Sequence, residues 1–334
     1  MSTQAKLDKI LQTKNEIKAA IISKGVEVSD TDTFASYPSK IASIEGGGGF
    51  LGDEFLSFYG NDISYLFYKR TVQKDVLDFI KDNIKNFIYF DYLFYNNFLK
   101  MTLLGDNVTF DDLLSIDLTD AQTTNSTFFG MKDIDAYENK IAIEGQKIIN
   151  IPNSTNVNSM FYDSTLKNIK LISPKAKLFN STFSGCSFLD TVEADFSSAT
   201  QLSSTFSGCS ELTKVDFSTT TNKLTSFSTS VVNNCTKMKE LLNLNITNIS
   251  TQLNFSSNNF KRVTFQNTEE KLKASNILLT NSTDMTVEDA VETLTSLPAL
   301  KSGIKSSIKF NTDVSSSLTD EQKEIGTSKG WTVL

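Results

Sequence analysis

Histidine is missing from the sequence, and this absence excludes chemistry that depends on an imidazole. Ser-His-Asp and Cys-His nucleophiles, histidine-ligated metals and the usual acid–base group near neutral pH all require it. The phosphate-binding loops G-x-x-x-x-G-K-[ST] and G-x-G-x-x-G are absent as well. Glycoside hydrolysis needs only two carboxylates. An enzyme built from this sequence would therefore be a carbohydrate depolymerase that uses an Asp/Glu pair, or an enzyme with unusual chemistry, and the sequence indicates no particular pair.

Arginine is also scarce, since Arg70 and Arg262 are the two arginines among 32 basic residues, against 39 acidic ones. Nucleic-acid binding requires a concentrated basic surface, with arginine side chains that donate bidentate hydrogen bonds to phosphates and bases. We therefore expect no nucleic-acid partner. No run of about 18 apolar residues occurs, which predicts no membrane span. Residues 1–21 form a charged amphipathic segment and lack the uninterrupted apolar run of a signal peptide. The 3 cysteines, an odd number, argue against a disulfide framework and fit a reducing compartment during folding.

Small polar residues are abundant, because Ser, Thr and Asn number 40, 37 and 28 among 334 residues. Hydrophobic residues still make up 39% of the chain, which is enough to build a core. This combination predicts many short strands joined by turns.

The first 45 residues predict a helical module. Apolar residues recur at three- and four-residue spacing over residues 4–24, where they form one helical face: Leu7, Ile10, Leu11, Ile17 and Ile21. This face either packs on its own domain or forms a short coiled coil with another copy. Residues 46–49 are four glycines, which predicts a flexible linker.

Residues 50–98 are rich in aromatic side chains, with 15 of the 35 in the chain. A helix is expected near residues 71–84, with Val72, Val76, Phe79 and Ile80 on one face. The aromatic residues form either the core of a compact domain or a subunit interface or ligand platform, because aromatic anchors dominate such surfaces.

The central third contains an internal repeat. Residues 181–196 read STFSGCSFLDTVEADF, and residues 204–217 read STFSGCSELTKVDF. Looser copies begin near residues 126, 159 and 231. Each copy predicts a short strand and a tight corner, and its two apolar faces require stacking on neighbouring copies.

The three cysteines occupy the same position in consecutive repeats. Cys186, Cys209 and Cys235 are therefore expected to form a buried column of small side chains. A zinc site is the alternative, but three cysteines at this spacing without histidine support it poorly. We expect Cys209→Ser to cost about 1–3 kcal/mol, because a buried hydroxyl would lack a partner.

The C-terminal segment predicts ordered structure. A helix is expected after Thr286, with Val287, Val291 and Leu294 on one face. Thr319 and Gln322 match a capping box at the start of a further helix, and residues 331–334 read as a final strand. Together these elements predict a helical cap for the repeats.

The repeats resemble the BspA-type leucine-rich repeats, whose signature is close to M-F-x-x-C-x-x-L-x-x-[IVL]-x-[LF]. Phe183, Cys186, Leu189 and Val192 match this signature, and the repeat at Phe206 matches it equally well. Residues 318–333 also resemble the terminal cap of such repeats in bacteriophage structural proteins. Residues 7–44 are similar to an N-terminal module of phage tail and fibre proteins.

This resemblance implies a mixed, β-rich fold with successive parts along the chain. These are an N-terminal helical attachment module at 1–45, a glycine linker at 46–49, an aromatic-rich α/β segment or N-terminal cap at 50–124, a BspA-type leucine-rich-repeat solenoid at 125–268, and a helical C-terminal cap at 269–334.

The function implied is that of a non-enzymatic virion protein, a fibre or tail-tip component that binds the host surface. It would assemble in the host cytoplasm as a homotrimer, with other virion proteins and a host-surface glycan or protein as partners. A head-fibre or capsid decoration protein, a bacterial surface adhesin and a carbohydrate depolymerase are the alternatives. No catalytic, cofactor-binding or metal-binding residue and no cofactor is predicted.

Overall fold

The structure is a computed structural model of the 334-residue chain. It describes residues 3–23, 26–33, 36–37, 40, 53–67, 71–95, 103–105, 107–134, 140–221, 224–225, 227–266, 271 and 273–334. The chain divides into two compact units, Met1–Gly60 and Asn61–Leu334. The predicted glycine linker at 46–49 lies outside the described residues.

The first unit contains helices α1 (Thr3–Ser23) and α2 (Asp53–Tyr59), so the predicted N-terminal helix is confirmed. Ile21, Val28 and Tyr37 form a small core, against which Ile17 and Val26 pack. Ile17 and Ile21 are four residues apart and so lie on one side of α1. Leu11 is 57% exposed and does not join this core, so its contact with another copy stays a prediction. The side chains of Leu7 and Ile10 lie outside the described residues.

The second unit has a mixed α/β fold. Its helices are α3 (Lys74–Asp82), α4 (Phe110–Leu114), α5 (Val287–Ser296), α6 (Thr312–Ser317) and α7 (Asp320–Thr327), with 3₁₀ turns at Ile84–Asn86 and Thr229–Val232. The strands are β1 (Thr71–Val72), β2 (Leu103–Leu104), β3 (Asp133–Ile134), β4 (Lys140–Ile141), β5 (Ile143–Asn150), β6 (Leu166–Ile172), β7 (Thr191–Ala194), β8 (Lys214–Asp216), β9 (Glu240–Leu244), β10 (Leu253–Asn254), β11 (Arg262–Phe265), β12 (Ile277–Leu279), β13 (Ser307–Phe310) and β14 (Thr332–Val333).

Parallel pairing dominates the described strands. Three sheets have the orders β5-β6-β7, β8-β9-β11 and β10-β12-β13-β14, and each is parallel throughout. β1 and β2 form a further parallel pair, whereas β3 and β4 are antiparallel. Adjacent strands come from successive stretches of the chain, so each stretch packs against its predecessor.

A further line of backbone hydrogen bonds, made by residues outside the strands, joins successive stretches of the chain. Each repeat is marked by one buried phenylalanine, and the backbone N–H of that residue donates to a carbonyl oxygen in the following repeat at 2.8–3.2 Å. These residues are Phe67, Phe94, Phe128, Phe161, Phe183 and Phe206. The ladder therefore begins before residue 125, where the sequence repeat first becomes recognisable.

The six phenylalanine rings form one continuous stack, the Phe column. Neighbouring ring centroids lie 5.4–5.7 Å apart, and neighbouring planes are within 2–17° of parallel. All six side chains are buried. Such ring pairs add about 0.5–1.5 kcal/mol each beyond the burial of their area, so the column links each repeat energetically to the next.

Two predicted helices differ in detail. The helix expected near residues 71–84 begins at Lys74, because Val72 belongs to β1 and pairs with Leu104 of β2. Leu77 and Ile80 are its buried residues.

The helix after Thr286 has the predicted start, with a capping box to Asp289. Its buried residues are Ala290, Thr293 and Leu294. Val287, Val291 and Leu294 lie on one face of this helix as predicted, and the two valines are half-buried.

The end of the chain forms as expected. Thr319 and Gln322 make the predicted capping box at the start of α7. Trp331 is buried, and its indole Nε1–H donates to the carbonyl oxygen of Pro298 at 2.8 Å. β14 then pairs with β13, which ties the last residues into the sheet.

Candidate recognition surface

A second set of aromatic rings, the aromatic stripe, lies outside the Phe column. It consists of Tyr65, Tyr92, Tyr95, Phe129 and Tyr162. Tyr65 is 51% exposed, and the other four are half-buried. Tyr65 stacks on Tyr92 with centroids 4.8 Å apart, and Phe129 stacks on Tyr162 at 4.7 Å. Tyr95 makes edge contacts with Tyr92 at 5.6 Å and with Phe129 at 4.3 Å, so the stripe connects four repeats.

The repeat backbone fixes where the stripe lies. Tyr95, Phe129 and Tyr162 each follow directly after a residue of the Phe column, and they are more exposed than the phenylalanine before them. Tyr65 and Tyr92 stand two residues before that column, with φ of 64° and 58°. Ser126, Ser159, Ser181 and Ser204 hold the same left-handed conformation at the same position, with φ of 51–56°. Left-handed backbone is unfavourable for these residue types, so the hydrogen-bond ladder imposes it.

A ladder of polar side chains lies three residues before four of the phenylalanines. Each of these four side chains accepts the backbone N–H of the equivalent residue in the next repeat. The acceptors are Ser64 Oγ at 3.1 Å, Asp91 Oδ1 at 2.8 Å, Asn158 Oδ1 at 2.8 Å and Asn180 Oδ1 at 3.0 Å. Burial raises the pKa of Asp91. Asn125 Nδ2 donates to the hydroxyl of Tyr92 at 3.2 Å, which joins this ladder to the stripe.

The stripe ends at Tyr162. In the next two repeats, Ser184 and Ser207 stand directly after Phe183 and Phe206, where the earlier repeats have rings. The Ser184 hydroxyl donates to the Ser207 carbonyl oxygen at 3.1 Å. The outer surface therefore changes from aromatic to hydroxyl-bearing between neighbouring repeats.

Charges on the surface of this unit are largely compensated between repeats. Asp163, next to Tyr162, contacts Lys132 and lies 3.3 Å from Lys140 Nζ. On the strands, Lys167 lies 3.1 Å from Glu144, Lys170 lies 2.9 Å from Glu193, and Arg262 lies 2.7 Å from Glu240. Exposed pairs of this kind add little stability.

The cysteines lie in the interior, as predicted. The thiols of Cys186, Cys209 and Cys235 donate to the carbonyl oxygens of Phe161, Phe183 and Phe206 at 3.0, 3.0 and 2.9 Å. All three are free and buried. Burial raises the pKa of Cys186 to about 11 and that of Cys235 to about 12, and it also raises the pKa of Cys209. They remain thiols near neutral pH, and thiols are poor nucleophiles and poor metal ligands.

The expectation for Cys209→Ser needs correction. A serine hydroxyl at this position would not lack a partner, because the Phe183 carbonyl oxygen already accepts the Cys209 thiol. Ser164 occupies the equivalent position one repeat before Cys186, and its hydroxyl lies 3.4 Å from the Cys186 sulfur. The column of small buried side chains that contains the three cysteines therefore already includes a serine.

Lys271 is buried in the second unit. Its Nζ donates to the carbonyl oxygens of Ile246 at 2.9 Å and Ile249 at 2.6 Å. Burial, together with the charge of Lys273, lowers the pKa of Lys271 to about 8. The ammonium group satisfies two carbonyl groups of a preceding turn, which gives it a structural role.

The sequence contains a signal for the stripe that its aromatic content alone did not reveal. An aromatic residue directly follows the column phenylalanine at 94–95, 128–129 and 161–162, whereas Phe-Ser occurs at 183–184 and 206–207. Residues 50–98 stand out as aromatic-rich, but Phe67 and Phe94 do not fall at the spacing of the later repeats. Alignment of these two phenylalanines with the later ones would have predicted both the column and the stripe.

Within the described ranges, no group of three or more Cys, Asp or Glu side chains could hold a metal ion. No helix in that part of the chain has the length and hydrophobicity needed to cross a bilayer. Comparison with protein-family models, with curated proteins and with solved structures yields no match to this chain.

Proposed function

We propose that this chain is a non-enzymatic structural protein of a bacteriophage virion, a fibre or tail-tip component. Its second unit is a leucine-rich-repeat solenoid that presents a binding surface to the host cell. The observation that carries the proposal is the aromatic stripe, which lies on the outside of the stacked repeats while the Phe column fills their interior. Rings that the core does not require are characteristic of recognition surfaces.

The first unit is the proposed attachment module to other virion proteins. Support comes from its separate small core and from the side of α1 that does not join it. Leu11 and Ile22 are 57% and 48% exposed, although both are apolar. Exposed apolar side chains on one helix suit a contact with another chain. A homotrimer built through this unit would place three solenoids on one fibre and strengthen weak contacts by avidity.

Labelling and adsorption measurements test the proposal. Antibodies raised against the full chain should label intact phage particles at a fibre or tail tip. Purified full chain should bind cells of the host bacterium and reduce phage adsorption in a dose-dependent manner.

Labelling of the capsid surface without an effect on adsorption would favour the decoration protein instead. New reducing ends released from host polysaccharide, and abolished by replacing one carboxylate, would favour the depolymerase. Absence of the chain from particles, together with no binding to cells, would refute a virion function.

A further inference from the structure

The aromatic stripe ends at Tyr162, in the middle of the repeats; this half-buried ring stacks on Phe129, and the following repeat supplies no ring to its other face. The backbone ladder continues across this point without interruption, because Asp163 N–H donates to the Ser184 carbonyl oxygen at 2.7 Å and Gly185 N–H donates to that of Ser207 at 2.7 Å. The backbones of neighbouring repeats therefore keep the same distance from each other. The outer side chain, however, is a phenol at Tyr162 and only a hydroxymethyl group at Ser184.

The two faces of the Tyr162 ring have different surroundings. Phe129 covers one face, with centroids 4.7 Å apart and planes 10° from parallel. The other face points along the stack towards the repeat that carries Ser184. In the Phe column, the rings of the same two repeats, Phe161 and Phe183, lie 5.6 Å apart and within 2° of parallel. By this spacing, a ring carried by residue 184 would lie one ring layer from Tyr162, and the serine that stands there is much smaller than a ring.

We infer that this layer is a binding site for one hexopyranose ring of a neutral glycan, stacked on the face of Tyr162 opposite Phe129; the inference rests on the proposed host-surface function. A pyranose has an apolar C–H face and a rim of hydroxyl groups, so it matches an aromatic face that is bordered by serines and backbone groups.

The charge around the site favours a neutral ligand. Asp163, the carboxylate next to Tyr162, contacts Lys132 and lies 3.3 Å from Lys140 Nζ. Its negative charge is thus compensated within the chain, and both lysines are engaged. Phosphate-bearing and strongly anionic polymers bind through clustered free cations, whereas here both lysines are paired with the Asp163 carboxylate and leave a single net positive charge.

Two single substitutions in the full chain test the site from opposite directions. Tyr162→Ser removes the ring and introduces the residue that the next two repeats already carry at this position, so the fold should accept it. Ser184→Tyr extends the stripe by one ring and fills the proposed layer with the protein's own side chain. The matched control is Ile148→Ala, which removes an apolar side chain that is 61% exposed on β5, away from the stripe.

The probe is the neutral polysaccharide fraction extracted from the envelope of the host bacterium, titrated against each full-length variant by calorimetry. Tyr162→Ser and Ser184→Tyr should each lower the affinity by about tenfold or more, while Ile148→Ala should leave it unchanged. Far-UV circular dichroism should be the same in all variants, and the unfolding midpoint should fall slightly in Tyr162→Ser, because this variant loses the stack on Phe129. Unchanged affinity in both stripe variants, or tighter binding by Ser184→Tyr, would overturn the site.

Parallel measurements with whole cells separate this site from the proposed function. If the native chain binds host cells and both stripe variants bind equally well, the glycan site at Tyr162 is refuted and the host-binding function stands. If protease treatment of the cells removes binding and the polysaccharide fails to compete, the partner is a protein and the glycan proposal is refuted. If the native chain binds neither cells nor polysaccharide and does not label particles, the proposed function itself fails.

Discussion

The Phe column should couple each repeat to its direct neighbours and to no others. Phe161 and Phe183 stack with centroids 5.6 Å apart, whereas Phe128 and Phe206 share no ring partner. All four side chains are 0% exposed, so burial does not differ between the two pairs. Replacement of each phenylalanine by leucine retains most of the apolar volume and removes the ring contacts.

The expected magnitudes follow from the number of ring contacts. Phe183 stacks on two rings, Phe161 and Phe206, and each such contact contributes about 0.5–1.5 kcal/mol beyond area burial. Phe183→Leu should therefore lower the free energy of unfolding by about 1–3 kcal/mol through these contacts, and Phe161→Leu should do the same. The two substitutions share one contact, so the double variant should lose about 0.5–1.5 kcal/mol less than the sum of the singles.

Urea unfolding of the full chain, followed by far-UV circular dichroism, measures these differences through a double-mutant cycle. The control cycle uses Phe128→Leu and Phe206→Leu, for which additivity within about 0.3–0.5 kcal/mol is expected. A coupling energy for Phe161 and Phe183 no larger than that of the control pair would show that the column is a set of independently buried rings.

Two further predictions concern buried polar groups. Cys209→Ala should lower the free energy of unfolding by about 0.5–1.5 kcal/mol, because it removes the thiol that donates to the Phe183 carbonyl at 3.0 Å, while the Cys186 N–H still donates to that carbonyl at 3.1 Å. Cys209→Ser keeps a donor and should cost less, so equal losses in urea unfolding would contradict the role of the thiol. For Lys271, the native pKa of about 8 lies below the ordinary 10.5, so the unfolded chain binds more protons between these values and stability should rise with pH across that range. The gain should reach about 3 kcal/mol relative to Lys271→Met, and a constant difference between the two chains from pH 8 to 10.5 would refute it.

Local patterns predicted the elements whose signals lie close together in the sequence. α1, the capping box at Thr319 and the final strand all formed where they were expected. The buried cysteine column followed from a repeat length that changes little, since Cys186, Cys209 and Cys235 are separated by 23 and 26 residues.

The early repeats could not be recognised from their spacing, because insertions interrupt it. Phe94 and Phe128 are 34 residues apart, and α4 (Phe110–Leu114) lies between them. Likewise, Val72 fits a helical pattern on local spacing, but its parallel partner Leu104 lies 32 residues further along the chain. A single sequence does not reveal such pairing, because the partner strand is only two residues long and carries no pattern of its own.

The position of Tyr162 differs from the neighbouring positions in what the fold requires of it. In the Phe column, every residue must stack on the rings above and below it. In the cysteine column, each side chain must reach a carbonyl oxygen of the preceding repeat. The residue directly after the phenylalanine has no such requirement: it is Tyr, Phe or Ser in different repeats, and the backbone ladder is the same in each case. A position that varies without cost to the stack is where a repeat protein can change its ligand and keep its fold.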